Sequence, residues 1–426
     1  MIIGIDDTDS SERMCTTYLT SVLIDKIKEL GNIKGMPHLI RLNPNIKYKT
    51  RGNAALALEI EPGPGNEKII MDTATSLVGE MADLKCENTN PGIIFLSDND
   101  INIPGLKDEI EQFMYRAIRD VLTIDDIDSL IKKYHITHSR FKNGRGLIGA
   151  LAACAAVVCG LPDHTYELIA YRLFDNFGLP RVIDHGSVFR ADEKTYPGTW
   201  DTVDRTNNTV VCAPHSPDPI LFGIRGDDIN AIKQAFNMID SEPVGSTLLY
   251  ITNQGTDLHL VDASIHEICN ERSYKVSGTV LDIPKTISGG HVFFTINATG
   301  CVECAAFEPT KGLRHIIREL IPGDMIRVCG GVNNGTLNIE KLEVLKLATH
   351  QGTANPLCPS CGKRMKSAGK GQGFRCKDCG TNNDTVIKLT VNRNIKAGIY
   401  EVPPCARRHI SKPLVRSSDP KAFPSR

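Results

Sequence analysis

The sequence predicts an α+β multidomain protein, and three observations carry that prediction. Strand-like and helix-like runs alternate through roughly the first 270 residues, which is the order of a layered α/β or α+β domain. Five strand-like runs follow, with one helix between the third and fourth, which is the order of an OB-fold barrel. Two Cys-x-x-Cys pairs come after them, at the spacing of a zinc ribbon.

The 426 residues exceed one ordinary core and suit three or four domains at roughly 100–200 residues each. Hydrophobic residues make up 41% and charged residues 23%, as in a globular chain, and no apolar run approaches the roughly 20 residues that span a bilayer. No membrane association is therefore expected. The opening MIIGIDDTDS has no basic stretch and its apolar run is one strand long, so no signal peptide is expected. Scattered cysteines then point to a reducing compartment, the cytoplasm. The net charge of −1 argues weakly against a nucleic-acid partner, but it hides an asymmetry: between Lys363 and Arg426 there are 15 Lys and Arg against 4 Asp and Glu. A local basic face is what phosphate binding requires; a solvated, partly disordered tail is the competing reading.

Residues 2–5 read as a strand ending in Asp6, Asp7 and Asp9. A helix follows from near Cys15 to Leu30, with Gly31 as its C-cap. Residues 52–61 alternate as a strand, and a Pro/Gly turn leads to a helix ending near Ala82. Ile93–Leu96 is a strand. Pro104 opens a helix through Arg119, and Thr123 with Asp126 caps another ending near Tyr134. A glycine turn at 143–146 opens the small-residue helix Leu147–Val158, and Tyr166–Tyr171 is a strand. The stretch 184–218, which holds the single Trp200, reads as long loops with edge strands. Leu221–Ile224 and a helix from Ile229 to Met238, capped by Asp227, suit a ferredoxin-like split βαβ. The five barrel runs are Val276–Ile283, Val292–Ile296, Val302–Phe307, Met325–Val332 and Leu337–Leu345, with the helix Gly312–Leu320. A linker at 348–357 follows. The divisions are 1–125, 126–270, 271–348, 353–384 and a basic segment 385–426.

Cys358, Cys361, Cys376 and Cys379 form two knuckles, each presenting two thiolates to one ion, and four soft ligands select structural Zn²⁺. Cys301 and Cys304 read as barrel residues. At the other end of the chain, Asp6, Asp7 and Asp9 sit where a strand stops, the usual position of a site in an open α/β sheet. Three carboxylates in four residues repel unless a cation holds them. Mg²⁺ takes carboxylate oxygens and leaves room for triphosphate oxygens. The next helix starts near Thr16 and Thr17, and its N-terminus favours a phosphate. The competing reading is a capping box of Asp9 with Glu12. Lys47, Lys49 and Arg51 could clamp a triphosphate or RNA phosphate, or be a solvated loop. Gly144-Arg-Gly146-Leu-Ile-Gly149 matches G-x-G-x-x-G, but no acidic residue ends the next strand and no second βαβ half follows. We read it as a tight turn under an Ala-rich helix, with Arg145 as a supporting contact to nucleotide or RNA.

Together, GIDDTDS, MCTTYL, RLNPNIKYKTRGN, GRGLIGALAA, PDPILFGIRGDD, TNQGTD and CPSCGKRMKSAGKGQGFRCKDCG resemble the archaeal tRNA(Ile) 2-agmatinylcytidine synthetase family over essentially the whole chain. The resemblance implies a kinase-like ATP-binding N-terminal domain, a ferredoxin-like domain, an OB-fold and a zinc ribbon. It implies an ATP-dependent ligase that joins agmatine to carbon 2 of the wobble cytidine in an isoleucine tRNA with a CAU anticodon. Carried over, Asp6, Asp7 and Asp9 hold Mg²⁺ and triphosphate, and Thr16 is the threonine that the family phosphorylates. An extruded base is expected, because the reacting atom must reach the pocket. Asp201, Asp204, Asp218 and Asp257 are candidates to hold the agmatine guanidinium, with Trp200 as a stacking surface. Two other readings compete: a non-enzymatic nucleic-acid binder, and a phosphotransferase acting on a small molecule. The DDTDS–CTT arrangement speaks against the first and the basic C-terminal modules against the second.

Overall fold

The computed structural model describes residues 1–49 and 52–426; Arg51, one of the expected phosphate ligands, lies outside the described residues. The first 252 residues supply strands β1 Ile2–Asp6, β2 Gly31–Arg41, β3 Ala54–Pro62, β4 Gly92–Leu96, β5 Thr137–Arg140, β6 Thr165–Arg172, β7 Thr199–Trp200, β8 Val203–Asp204, β9 Thr209–Val210, β10 Ile220–Gly226 and β11 Val244–Thr252. The helices among them are α1 Thr16–Ile27, α2 Glu67–Met81, α3 Asp98–Ile101, α4 Leu106–Arg119, α5 Ile124–Tyr134, α6 Leu147–Cys159, α7 His185–Thr195 and α8 Ile229–Met238.

Nine of these strands form one continuous sheet, ordered β5-β4-β1-β3-β2-β11-β6-β10-β7. Every neighbouring pair is antiparallel except β2 and β11, which run parallel at Ile251↔His38 and Thr252↔Leu39. That parallel contact joins the β1–β5 half to the β6–β11 half, so the sheet crosses the boundary expected at 125/126. Helices α1 and α2 bury Leu19, Leu23, Ile27, Ile70 and Leu77 against Ile3, Ile5 and Leu58. Helices α4, α5 and α6 cover the opposite face with Ile110, Phe113, Ile127 and Leu151. Ten consecutive residues of α6, Leu147–Ala156, are buried. Such a helix needs a sheet without side chains in its way. A Cβ on Gly4 would fall 2.2 Å from the Ala150 oxygen, and one on Gly92 would fall 2.1 Å from the Leu147 nitrogen. Glycine at both positions lets α6 seat directly on β1 and β4.

Several local expectations are corrected. Helix α1 stops at Ile27 with Lys28 as its cap, and Gly31 opens β2 instead of capping a helix. β2 was not legible because Gly31, Gly35 and Pro37 break its alternation. The loop-like stretch 184–218 holds helix α7, capped by the Asp184 carboxylate, which accepts from the Gly186 and Ser187 N–H groups. The cap of α8 is Asp228, which accepts from Asn230 N, and not Asp227.

Further strands are β12 Val261–Asp262, β13 Arg272–Val280, β14 Lys285–Thr286, β15 Val292–Asn297, β16 Cys301–Ala306, β17 Met325–Asn333 and β18 Thr336–Lys346, with helix α9 Leu313–Arg318 between β16 and β17. β13 pairs β15, β15 pairs β16, β16 pairs β18 in parallel, β18 pairs β17, and β17 returns to β13. The five strands close into a barrel around Val276, Phe294, Val302, Ile326, Val328 and Leu342. Cys304 and Cys329 are buried barrel residues and Cys301 is exposed. The expected linker contains β19 Gln351–Ala354, which pairs with β23 Ile387–Thr390 on the far side of the ribbon's strands β20 Lys366–Ser367, β21 Phe374–Arg375 and β22 Asn382–Asn383.

The last segment is not a loose basic tail. Its strand β24 Gly398–Glu401 adds to β18, and β25 Ala422–Phe423 adds to β24. Its arginines and Lys412 are spent on ion pairs within the molecule. Arg393 meets Asp324 at 2.7 Å, and Arg416 meets Asp163 at 2.9 Å and Asp227 at 2.8 Å. Arg407 is buried with Glu401 at 2.8 Å and with Asp201, all three less than a twentieth exposed. Removing the one cation would strand two buried carboxylates. Arg407→Met is therefore expected to cost about 3–5 kcal/mol in urea unfolding; a loss under about 1 kcal/mol, the value of an exposed pair, would show that the triad does not hold the segment.

Candidate active site

The β1–α1 turn is strained where function is expected. Asp7 takes φ +60°, a conformation that costs a non-glycine residue energy. Its N–H donates to its neighbour Asp6 Oδ1 at 2.7 Å, and its carboxylate accepts from Asn90 N at 3.0 Å. Gly146 and Gly149 pack against this point. A Cβ on Gly149 would lie 1.9 Å from Asp6 Oδ2, and one on Gly146 would lie 2.5 Å from the Asp6 carbonyl oxygen. The G-x-G-x-x-G pattern thus serves close packing, as expected, and brings Arg145 to the acidic turn.

A cavity of about 330 Å³ opens where the two halves of the sheet meet, at the low end for a small-ligand site. Asp6, Asp7, Asp9, Thr16, Thr17, Lys49 and Arg145 all line it. Thr16 and Thr17 begin α1 and are nearly buried. Thr8 Oγ1 donates to Thr16 Oγ1 at 3.1 Å, and Cys15 Sγ lies 3.0 Å from Thr17 Oγ1. The capping-box alternative fails: Cys15 is the N-cap and α1 receives no side-chain cap, so its N-terminal turn faces the cavity. Lys47 is the exception among the described candidates. It is 79% exposed, pairs with Glu271 at 3.3 Å and stands outside the cavity wall. Its neighbour Lys49 donates to the Pro44 carbonyl, and burial together with Arg408 lowers its pKa.

Burial, reinforced by the charge of Asp7, pushes the Asp6 carboxyl well above its ordinary range. Burial also raises Asp7, to about 7, against the N–H of Asn90 and with help from Asp9. Fully ionised, the cluster would carry more negative charge than its surroundings balance. A hard, oxygen-seeking divalent cation such as Mg²⁺ fits this donor set.

The opposite wall was not found from the sequence. Glu167 on β6 faces Arg225 on β10 in register; Arg225 Nε donates to Glu167 Oε1 at 3.0 Å and Arg41 Nη2 to Glu167 Oε2 at 3.3 Å. Burial alone would raise Glu167, but Arg225 and Arg41 outweigh it and hold the carboxyl below its usual value. Arg41 Nε is buried without a hydrogen-bond partner. This wall can receive an anion or a polar ring edge. The available signal was a charged residue inside each apolar strand, as in HLIRL and YELIA. Of the four aspartates expected at an amine pocket, only Asp218 lines this cavity, accepting from Arg181 at 3.1 Å and Ile220 N at 3.0 Å. Asp201 pairs with Arg407, Asp204 accepts from Asn207 and Cys405 N–H groups, and Asp257 meets Lys275 and Lys341. Trp200 is buried and donates to Asp227 at 3.1 Å, so it offers no stacking face.

In the ribbon, one sulfur each of Cys358, Cys361, Cys376 and Cys379 lies within 4.8 Å of all the others, with separations of 3.3, 3.5 and 3.7 Å among them. A tetrahedral Zn–S₄ site with bonds of ≈ 2.3 Å sets sulfurs about 3.8 Å apart, so the four cysteines fit zinc.

Fold and site define a class: a mixed α/β protein with an acidic, arginine-walled pocket, joined to a five-stranded barrel and a four-cysteine ribbon. Family models described as the TiaS TCKD domain, the TiaS FLD domain and the TiaS C-terminal zinc ribbon domain match residues 2–73, 144–259 and 355–395. The tRNA(Ile2) 2-agmatinylcytidine synthetase TiaS of Methanosarcina mazei is 52% identical over 421 residues, covering 98% of this chain and 97% of the relative. A crystal structure of the TiaS-tRNA(Ile2)-ATP complex matches with TM-score 0.90 and 45% identity, covering 100% and 99% of the two chains. A TiaS-tRNA(Ile2)-AMPCPP-agmatine complex matches with TM-score 0.88 and 42% identity, again over 100% and 99%. The chain belongs to the TiaS family.

The charge at Asp7 sets a pH dependence. A carboxyl that holds its proton more tightly folded than unfolded adds stability at low pH, and that stability is lost as pH rises from about 4 to about 7. In chelator-treated protein, Asp7→Asn should raise the melting temperature at pH 8, and the gain should shrink toward pH 5. A variant that melts lower than the parent at pH 8 would mean the carboxylate is already compensated.

Proposed function

We propose that this protein joins agmatine to carbon 2 of the wobble cytidine of tRNA(Ile2), in a reaction driven by ATP. One observation carries the reading. The three carboxylates, the first turn of α1 and Arg145 share a single cavity in a chain similar over its whole length to a TiaS complex with tRNA, an ATP analogue and agmatine. In this reading residues 1–125 are the kinase-like ATP-binding domain, 126–270 a ferredoxin-like domain and 271–348 an OB-fold. The ribbon occupies 353–384, and 385–426 is the basic segment that straps the modules together. No disulfide joins the cysteines among the described residues, which suits a reducing cytoplasm. Among the described residues no helix is long and apolar enough to cross a membrane.

The cytosine C2 oxygen is a poor leaving group. Phosphoryl transfer from ATP to that oxygen turns it into phosphate, and the agmatine amine then attacks C2. Phosphate leaves, and the amine nitrogen loses its proton. Asp6, Asp7 and Asp9 would hold Mg²⁺, whose chemistry is to neutralise triphosphate oxygens. The N–H groups at the start of α1 would bind phosphate, with Lys49, Arg145 and Arg51 adding positive charge. Thr16 stands where the family's phosphorylated threonine is expected, with Thr17 beside it. Lys47, exposed at the rim, has a place only toward the RNA backbone. The Asp218 carboxylate is the remaining candidate for the agmatine guanidinium. In the ribbon, Lys366, Lys370, Arg375 and Lys377 have no carboxylate within ion-pair distance among the described residues and are available for tRNA phosphates.

Mass spectrometry of nucleosides from tRNA(Ile2), incubated with enzyme, ATP, Mg²⁺ and agmatine, should show a cytidine enlarged by agmatine less water. Asp7→Asn and Thr16→Ala should lower that yield at least about 100-fold while tRNA still binds. Unmodified tRNA with the parent enzyme would refute the activity, and full yield from both variants would refute the roles assigned.

A further inference from the structure

The mouth of the active-site cavity carries a feature that the reaction above does not use. Tyr48 is 57% exposed, an unusual position for an aromatic ring beside a buried site. The Arg145 guanidinium lies over it, 4.3 Å from the ring centroid, and is pinned there by donating to the Leu122 carbonyl at 3.3 Å. Behind this pair lies a second, open cavity of about 240 Å³, lined by Val121, Leu122, Ile124 and Asp125 and again by Tyr48 and Arg145. Tyr48, Arg145 and Leu122 border both cavities, so the Tyr48–Arg145 pair, backed by Leu122, forms the partition between them.

The chemistry of the second cavity selects its occupant. The cavity opens at the start of α5, a place that would ordinarily attract phosphate. Here Asp125 and Asp126 place two carboxylates in the first turn, and the Thr123–Asp126 capping box takes the N–H groups of Thr123 and Asp126. A phosphate at this turn would face the charge of both carboxylates. What remains is an apolar floor, one carboxylate at the edge that can accept from an exocyclic amine, and a planar aromatic–guanidinium wall. Unstacked RNA bases are held on such walls.

We propose that the Tyr48–Arg145 partition separates two anticodon bases: the target cytidine enters the main cavity and one flanking nucleotide stacks against Tyr48 in the second. This inference rests on the proposed function, deepening it by naming a contact for the tRNA. It also accounts for the exposed ring, which splints the extruded conformation by replacing the stacking that the anticodon loses. Tyr48 is a positioning residue here and touches no reacting atom.

The test uses the full-length enzyme with ATP, Mg²⁺ and tRNA(Ile2) carrying 2-aminopurine at either nucleotide flanking the wobble cytidine. Parent enzyme and Tyr48→Phe should quench one of the two probes through stacking, whereas Tyr48→Leu should leave both unquenched. Tyr48→Leu should also weaken tRNA binding about 10-fold, equivalent to about 1.4 kcal/mol. An unchanged melting temperature would show that the exposed leucine has not unfolded the protein. If the parent modifies the tRNA but neither probe depends on residue 48, this inference is overturned alone. If the parent leaves the cytidine unmodified, the functional reading falls and this inference with it.

Discussion

The seat of α6 on β1 is the contact on which the rest of the structure depends. Gly4 and Gly92 on the sheet side and Gly146 and Gly149 on the helix side leave no room for a side chain, and Gly149 meets the Asp6 carboxylate itself. Because the helix comes so close, Asp6 is buried. Because Asp6 is buried beside Asp7 and Asp9, its ionisation is disfavoured until a positive charge arrives to offset it. The same turn delivers Arg145 to the rim of the pocket. Packing thus creates an electrostatic deficit that a divalent cation with its triphosphate can fill.

A second constraint ties the distant modules to this pocket. The C-terminal segment passes under β2, where His409 Nε2 lies 3.2 Å from the Leu42 carbonyl and His259 Nε2 lies 3.1 Å from that of Arg41. The two rings pack 5.1 Å apart, and burial lowers the pKa of both, to about 4 for His259, so they stay neutral. With Arg407 in its buried triad and Arg416 bridging Asp163 and Asp227, the strap holds β2 and its Arg41 in place. Cutting the chain after the first two domains would therefore strip buried partners from Asp201 and the floor of the site, so the catalytic half is not built to stand alone.

What was legible in the sequence was what local chemistry determines. The four cysteines, the Thr123–Asp126 capping box, the Ala-rich helix and the five barrel strands are each specified within a few residues, and each is found. The acidic turn and the Thr16–Thr17 helix start likewise meet in one cavity. What was missed depends on contacts far apart in the chain. β2 is irregular in pattern and is held by pairing with β3 and β11. The Arg41–Glu167–Arg225 wall is assembled from three strands, and no single segment records it. The C-terminal arginines looked like an RNA-binding face because composition shows charge and not its partners, and folding pairs Arg407, Arg416 and Arg426 with aspartates more than a hundred residues away.

The central claim is that the buried carboxylates require a divalent cation to accept the nucleotide. Calorimetric titration of ATP into the full-length protein, with Mg²⁺ and then with Mg²⁺ chelated, tests it most directly. The account predicts that removing Mg²⁺ weakens ATP binding at least about 10-fold, because the triphosphate would otherwise face Asp6, Asp7 and Asp9 unscreened. Equal affinity with and without the cation would contradict it and leave the acidic turn without its assigned role.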